Sequence, residues 1–349
     1  MHVIKANNVR DALLQAWNIV CGCGVMENSR AGKVITMQEP VTIKYQFPKQ
    51  HVLLNPIRDA NPFFHLMEAM WMLAGRDDAA FLDYYVKGFG DRFGSNGIVM
   101  DAYGQRWRYG YQYNQLDEIV DLLRREPTTR QAVLQMWGAG RDDLRAYSSK
   151  PCNLIATFRI RLIGTPIGEL DCLDMTVFNR SNDLIWGCCG ANAVHFPILQ
   201  EYIAGKLGIE IGEYWQVTTN LHIYMDQYEI LCKRGSMSAH PAEKYGETKP
   251  LFDDHKVFDS ELEQVMYAID NMQAGEFISS ASFKNSFLEK VVLPMAAAHS
   301  RYKQNDLHWA FNIIETVAAE DWKRAGREWL ERRQWQKANK TTASDLTHG

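Results

Sequence analysis

The chain has 349 residues, 46% hydrophobic and 23% charged, with a formal net charge of −4. That length allows a large core, built as one domain with an appendage or as two domains. The acidic balance excludes a dedicated nucleic-acid binder, whose phosphate contacts need a basic surface, yet a few local arginines could still hold a small phosphorylated ligand. No stretch approaches the roughly 18 uninterrupted apolar residues of a membrane-spanning helix, and the opening residues show no apolar run ending in a small-residue cleavage site. A cytoplasmic protein that binds no membrane is therefore expected. The seven cysteines (21, 23, 152, 172, 188, 189 and 232) are irregularly spaced and include no CxxC pair, so neither a disulfide framework nor a metal site is expected.

In chain order, residues 7–20 read as a helix, with Val9, Leu13, Ala16, Trp17 and Val20 on one face. Residues 34–46 alternate as a strand interrupted by Pro40. Asn61 and Pro62 open a helix as N-cap and first residue, and Gly75 stops it. Residues 114–125 and 192–207 are further helices, and 131–137, 152–163, 169–180 and 213–219 are strands. From Ser260 to Gln336 helical periodicity prevails, with Trp322 and Trp329 on one face. The expected organisation is an α+β catalytic core over 1–250, a helical C-terminal extension over 251–336, and a polar, flexible tail over 337–349.

Four segments carry polar or reactive residues where burial would be costly without a purpose. Cys152 follows Pro151 at the start of the apolar strand LIATF. A cysteine attacks as the thiolate and so needs a nearby positive charge or base; otherwise it is inert core. Asn179-Arg180-Ser181-Asn182-Asp183 ends a strand, where an arginine among hydroxyl and amide groups can clamp a phosphate, or simply form a polar turn. Asn192 opens a helix after Gly187-Cys188-Cys189-Gly190-Ala191. Its amide can read a pyrimidine edge, or cap the helix. Glu68 lies on a helix beside Phe64, Trp71 and Met72. A carboxyl among aromatics is expected to be desolvated and tuned towards neutrality, as a general acid/base requires, unless it is purely structural.

Taken in order, Tyr103-Gly104-Gln105-Arg106-Trp107-Arg108, Pro151-Cys152, Arg180-Ser181-Asn182-Asp183 and His222-Ile223-Tyr224 resemble the thymidylate synthase superfamily, which includes the phage pyrimidine-nucleotide hydroxymethylases. The likeness covers about residues 10–230 and takes in Arg30 and Glu68. It implies a thymidylate-synthase-like fold: a large bent mixed sheet flanked by helices, with two sheets back to back in a homodimer. It also implies a pyrimidine nucleoside monophosphate as substrate and 5,10-methylenetetrahydrofolate as carbon donor. By matching positions, Cys152 is the nucleophile and Tyr103 lies close to it. Arg30, Arg180 and Ser181 hold the phosphate, joined by Arg130 from the partner subunit. Asp183 and Asn192 orient the base, with Asn182 or Asn153 as further readers. His222 and Tyr224 hold the sugar hydroxyl, and Glu68 runs proton transfers.

Several departures from the synthase pattern cluster near the reacting centre. Asn153 stands where the synthase has histidine, Phe89-Gly90 lies where it has a tryptophan, and Gln131 replaces a second arginine. One extra residue separates Asp183 from Asn192, and a long helical segment replaces the short apolar tail. A wetter site favours water over hydride as the final nucleophile, hence hydroxymethylation over methylation. Asn192 leans towards dUMP; dCMP or CMP remains the alternative. A catalytically inactive binding or assembly subunit is the competing reading from another class. The pair Cys188-Cys189 reads as packing, His195 as a core or interface residue, and the Arg-rich stretch near 324–336 as a solvated helix.

Overall fold

The computed structural model describes residues 1–345 except 143, 146–148, 166–167, 239–244, 246–247, 253–255 and 277–281. The first part of the chain runs through β1 (His2–Ala6), α1 (Val9–Cys23), β2 (Val25–Ser29), β3 (Gly32–Thr36), β4 (Val41–Tyr45) and α2 (Pro62–Leu73). Short elements follow: α3 (Ala79–Asp83), α4 (Phe89–Phe93), β5 (Gly94–Ser95), β6 (Ile98–Val99), α5 (Tyr103–Arg108), α6 (Gln115–Arg125) and β7 (Val133–Gln135). The centre holds β8 (Asn153–Thr165), β9 (Gly168–Asn179), β10 (Asn182–Asp183), a π-helical stretch over Leu184–Ala191, α7 (Asn192–Leu207), β11 (Glu210–Thr218), β12 (Leu221–Tyr224) and α8 (Met225–Arg234). The last part is helical: α9 (Phe258–Gln273), a π-helical turn at Leu288–Val292, α10 (Leu293–Lys303), α11 (Leu307–Ile314) and α12 (Glu320–Asp345).

A six-stranded mixed sheet in the order β1-β4-β11-β9-β8-β7 forms the body, and a four-stranded sheet in the order β10-β12-β3-β2 lies beside it. The segment expected as one interrupted strand over 34–46 becomes β3 and β4, in different sheets, with Pro40 in the link between them. Two parallel pairings bridge the sheets. β9 runs parallel to β11 with Asn179 opposite Thr218, and each strand then passes into the small sheet, where β10 runs parallel to β12 with Asp183 opposite His222. The passage from large to small sheet therefore gathers residues 179–183 and 218–224 in one place.

Local chemistry explains the helix starts. Asn61 accepts the Phe64 N–H at 3.2 Å with Pro62 as first helical residue, and Asn8 accepts the Asp11 N–H at 3.0 Å. Helix α2 is buried almost all round, including Phe63, Leu66, Met67, Met70 and Leu73. Such a helix has to be covered on every side. Helix α5 supplies one cover, pressed so close that a Cβ at Gly104 would stand 1.9 Å from the Met72 carbonyl oxygen. Helices α10 and α12 supply another. Trp329 of α12 meets Phe63 edge-on at 5.3 Å and Tyr302 at 5.0 Å, while Arg332 and Arg333 pair with Asp59 at 2.8 and 2.9 Å. Buried side chains on both sides of residue 250 join one continuous core. Residues 253–255 and 277–281 of the expected extension, and 346–349 of the expected tail, lie outside the described residues; helix α12 itself continues to Asp345.

Trp329→Ala should cost about 3–5 kcal/mol of unfolding free energy, because it empties the contact that seats α12 on α2. Trp335→Ala, at a ring 69% exposed, should stay within about 0.5 kcal/mol. Denaturant titration of both variants checks the contrast.

Candidate active site

The register of the β8–β9 hairpin brings the reactive cysteine and the arginine together. Thr165 pairs with Gly168 at its tip and Asn153 with Asn179 at its base, so Cys152 and Arg180 emerge side by side. The Arg180 N–H donates to the Cys152 carbonyl at 3.0 Å. The Arg180 guanidinium donates to the carbonyls of Pro151 and Lys150, each at 2.8 Å. The Tyr103 hydroxyl accepts from the N–H groups of Cys152 at 3.0 Å and Asn153 at 3.2 Å. Two further ties fix the loop before the cysteine: Ser149 donates to Asp101 at 2.8 Å, and Arg106 grips the buried Asp142 through bonds of 2.7 and 2.9 Å. Most of the Tyr103–Arg108 motif is thus a platform for the cysteine loop, and its last residue, Arg108, pairs with Asp259 of α9 at 2.8 Å.

Burial pushes the Cys152 thiol up from its ordinary value; Arg180 pulls it back, and Asp101 and Asp183 add to the rise. The thiol is half-buried and free. Burial raises the Tyr103 hydroxyl as well, so at neutral pH it stays protonated.

Asp183 stands where β10 enters the π-helical stretch. Its Oδ1 accepts the N–H groups of Ile185 at 2.7 Å and Trp186 at 2.5 Å, leaving Oδ2 buried without a hydrogen bond among the described residues. Burial raises its carboxyl, while those N–H bonds and His222 oppose the rise. The stretch between Asp183 and Asn192, where an extra residue is expected from the resemblance, is not a regular helix. The distortion shows in the non-helical dihedral angles of Cys189 and Gly190.

Asn192 does not cap α7. Its amide turns inward, to Asn153 and Asn182. Asn182 is likewise buried, bonded to Gln216 at 2.9 Å. His222 meets Tyr224 ring to ring at 5.2 Å, edge-on. Burial raises the Tyr224 hydroxyl; Asp183 and Cys152 add to the rise and Arg30 opposes it, so these residues share one electrostatic neighbourhood. Arg30 is exposed at the tip of the β2–β3 hairpin, where Ser29 bonds across the turn to Gly32. Ser181 is half-buried beside Arg180. Arg130 is exposed in the loop after α6, and no contact among the described residues joins it to Cys152.

Glu68 faces α7. Its Oε2 lies 3.2 Å from His195 Nε2, and neither atom has a well-aligned hydrogen bond among the described residues. The sequence marks His195 as a core or interface residue and does not link it to Glu68. The two are distant in sequence, and only the packing of α2 on α7 unites them. Gln216, Tyr45 and Arg58 were missed for the same reason. Arg58 donates to the Ile185 carbonyl at 3.1 and 2.9 Å and lies over the half-exposed Trp186 ring at 4.8 Å. Among the described residues no group of three or more His, Cys, Asp or Glu could hold a metal ion.

The arrangement can present a thiolate close to an arginine, with the buried Asp183 Oδ2 in the same neighbourhood as a proton acceptor. Because the Cys152 thiol is raised, its alkylation by iodoacetamide should keep accelerating from pH 7 to pH 9. Arg180→Gln removes the charge that lowers it and should slow alkylation at pH 8. An unchanged rate in that variant would show that the guanidinium does not act on the thiol.

The thymidylate synthase family profile matches residues 12–271. A deoxyuridylate hydroxymethyltransferase of Pseudomonas phage M6 is 40% identical over 352 residues, covering 95% of each chain. A deoxyuridylate hydroxymethyltransferase of Bacillus phage SP01 is 38% identical over 209 residues, covering 56% of this chain and 52% of its own. The chain belongs to the thymidylate synthase family.

Proposed function

We propose that this protein is a transferase that adds a hydroxymethyl group to C5 of dUMP through a covalent bond between Cys152 and C6 of the base. The observation that carries this reading is that backbone pairing sets Arg180 beside Cys152 and Asp183 beside His222, two residues before Tyr224, within the family's fold. The names of both phage relatives support deoxyuridylate as the substrate and hydroxymethylation as the reaction.

C5 of uracil is a poor nucleophile. Addition of the Cys152 thiolate to C6 moves an electron pair towards C5 and O4, and hydrogen bonds at the ring edge from Asn192 spread the charge. Arg180, Arg30 and Ser181 grip the phosphate, and His222 and Tyr224 hold the sugar. The one-carbon donor is 5,10-methylenetetrahydrofolate, which supplies carbon at the oxidation level of formaldehyde. The buried Asp183 Oδ2, without a hydrogen bond among the described residues, fits an N–H or water donor of the kind that a reduced pterin and its hydration bring. C5 bonds the donated carbon and loses its proton, the carbon parts from the donor's nitrogens to leave tetrahydrofolate, and the chain has to deliver water to the new exocyclic carbon. The Glu68–His195 pair is suited to take that water's proton. Release of Cys152 from C6 then restores the aromatic ring, so that nucleotide, donor and water give the hydroxymethyl nucleotide and tetrahydrofolate.

Phe89 packs on Phe64, one turn before Glu68, at 5.7 Å. The smaller ring at that position supports a site open to water, and therefore hydroxymethyl rather than methyl as the product. On this reading Arg130 serves the phosphate site of a second copy of the chain, in the homodimer that the resemblance implies. No helix among the described residues is long and apolar enough to cross a membrane. The phage origin of both relatives supports the host cytoplasm as the place of action.

Offered dUMP, dCMP and CMP with methylenetetrahydrofolate, the protein should yield 5-hydroxymethyl-dUMP by mass spectrometry, with no rise in dihydrofolate absorbance. A methylated product accompanied by dihydrofolate, or product from dCMP alone, would refute this reading. Glu68→Gln should lower turnover by about 10²–10⁴-fold.

A further inference from the structure

An amide can face a neighbour in two ways that differ only by exchange of its oxygen and nitrogen. For a base-reading asparagine the difference is decisive. The N3–H and O4 of uracil ask for acceptor then donor, whereas the N3 and 4-amino group of cytosine ask for donor then acceptor. A side chain free to turn serves both bases, and one held in a single orientation serves one.

Asn192 is held, and the direction is set from a main-chain carbonyl. The carbonyl of Cys188 can only accept. Gln216 Nε2 donates to it at 2.9 Å, in a place with no solvent exposure, and the Tyr45 hydroxyl donates to the same oxygen at 3.3 Å. Reversing Gln216 would set its oxygen against that carbonyl oxygen, so Oε1 must face Asn182. It accepts from Asn182 Nδ2 at 2.9 Å. Asn182 Oδ1 is thereby turned to Asn192, whose Nδ2 donates to it at 3.1 Å. Each link forces the next, and all three amides are buried, so water cannot repair a reversed one.

Two surrounding features agree. A Cβ at Gly187 would stand 2.5 Å from Asn182 Oδ1, so glycine at this position leaves room for the relay. The Tyr214 hydroxyl donates to the Asn192 carbonyl at 3.0 Å and anchors the first turn of α7. Asn153 pairs reciprocally with Asn192, donating at 3.1 Å and accepting at 3.2 Å. Its amide has no other hydrogen bond among the described residues, so it imposes no direction, and it has to swing aside to free the N–H and the oxygen of Asn192 that O4 and N3–H of the base then take.

We propose that Gln216 and Asn182 are positioning residues that set base choice by locking the amide of Asn192, on the reading above that Asn192 meets the base. Neither touches substrate. They act through the orientation of a third side chain.

Equilibrium dialysis of dUMP and dCMP against the full-length protein and its Asn182→Leu, Gln216→Met and double variants tests this. The wild type should bind dUMP more tightly. In each variant the ratio of the two dissociation constants should move towards one by about tenfold or more, because the reversed amide is no longer opposed. Asn182→Ser serves where the leucine variant does not fold. A parallel loss of affinity for both nucleotides, with the ratio unchanged, is what a merely structural role gives and would overturn the proposal. Tighter dCMP binding by the wild type would instead refute the deoxyuridylate reading, and the collapse of the ratio would still decide the relay.

Discussion

Pairing along the β8–β9 hairpin sets how far Cys152 lies from Arg180, and the rest of the site is arranged around that distance. The two residues are separated by a long stretch of chain, yet cross-strand pairing from Thr165–Gly168 to Asn153–Asn179 leaves them side by side. A slip of one residue would turn every side chain of β8 to the other face of the sheet. Buried Ala156 and Phe158 on β8 and Met175 and Val177 on β9 resist such a slip, because it would expose them. The core thus fixes the chemistry at one remove: apolar burial chooses the register, and the register delivers the thiol to the guanidinium.

The second constraint is the number of buried polar groups that need partners. Asn153, Asn179, Asn182, Asn192, Gln216 and His222 are all buried at the passage between the two sheets. Each unsatisfied one would cost about 1–3 kcal/mol, so their amides join into a network with defined directions. The π-helical stretch before Asn192 presents the Cys188 carbonyl to that network. Acceptors without a hydrogen bond among the described residues include Asn179 Oδ1 and Asp183 Oδ2 at this passage, and Glu68 Oε2, which faces His195. Orphaned buried oxygens are rare in folded proteins, and the one on Asp183 lies in the neighbourhood of Cys152, where ligand N–H groups and water are required.

Much of this was legible in the residues, for physical reasons that differ from place to place. Asn61-Pro62 announces α2 because capping is local chemistry, and β8 and β9 announce themselves by their β-branched and apolar runs. The four motifs point to one family because their order is hard to reproduce by chance. The short strands β1 and β2 and the helices α3 and α5 carry too few residues for a periodicity to emerge. The partnership of Glu68 with His195, and the line from Cys188 through Gln216 to Asn192, are tertiary: they join residues from separate elements, and neither spacing nor propensity encodes them. The helices after residue 258 were legible as helices, but their packing on α2 through Trp329 and Phe63 was not.

The central claim is that the Cys152 sulfur bonds carbon 6 of a bound uracil ring. A fluorine at C5 cannot leave as a proton does, so 5-fluoro-dUMP with methylenetetrahydrofolate should stall the reaction as a covalent adduct. Mass spectrometry of the protease digest should place that added mass on the peptide containing Cys152 and on no other. An adduct on a different cysteine, or an unmodified Cys152 peptide after exposure to saturating nucleotide and folate, would contradict the account.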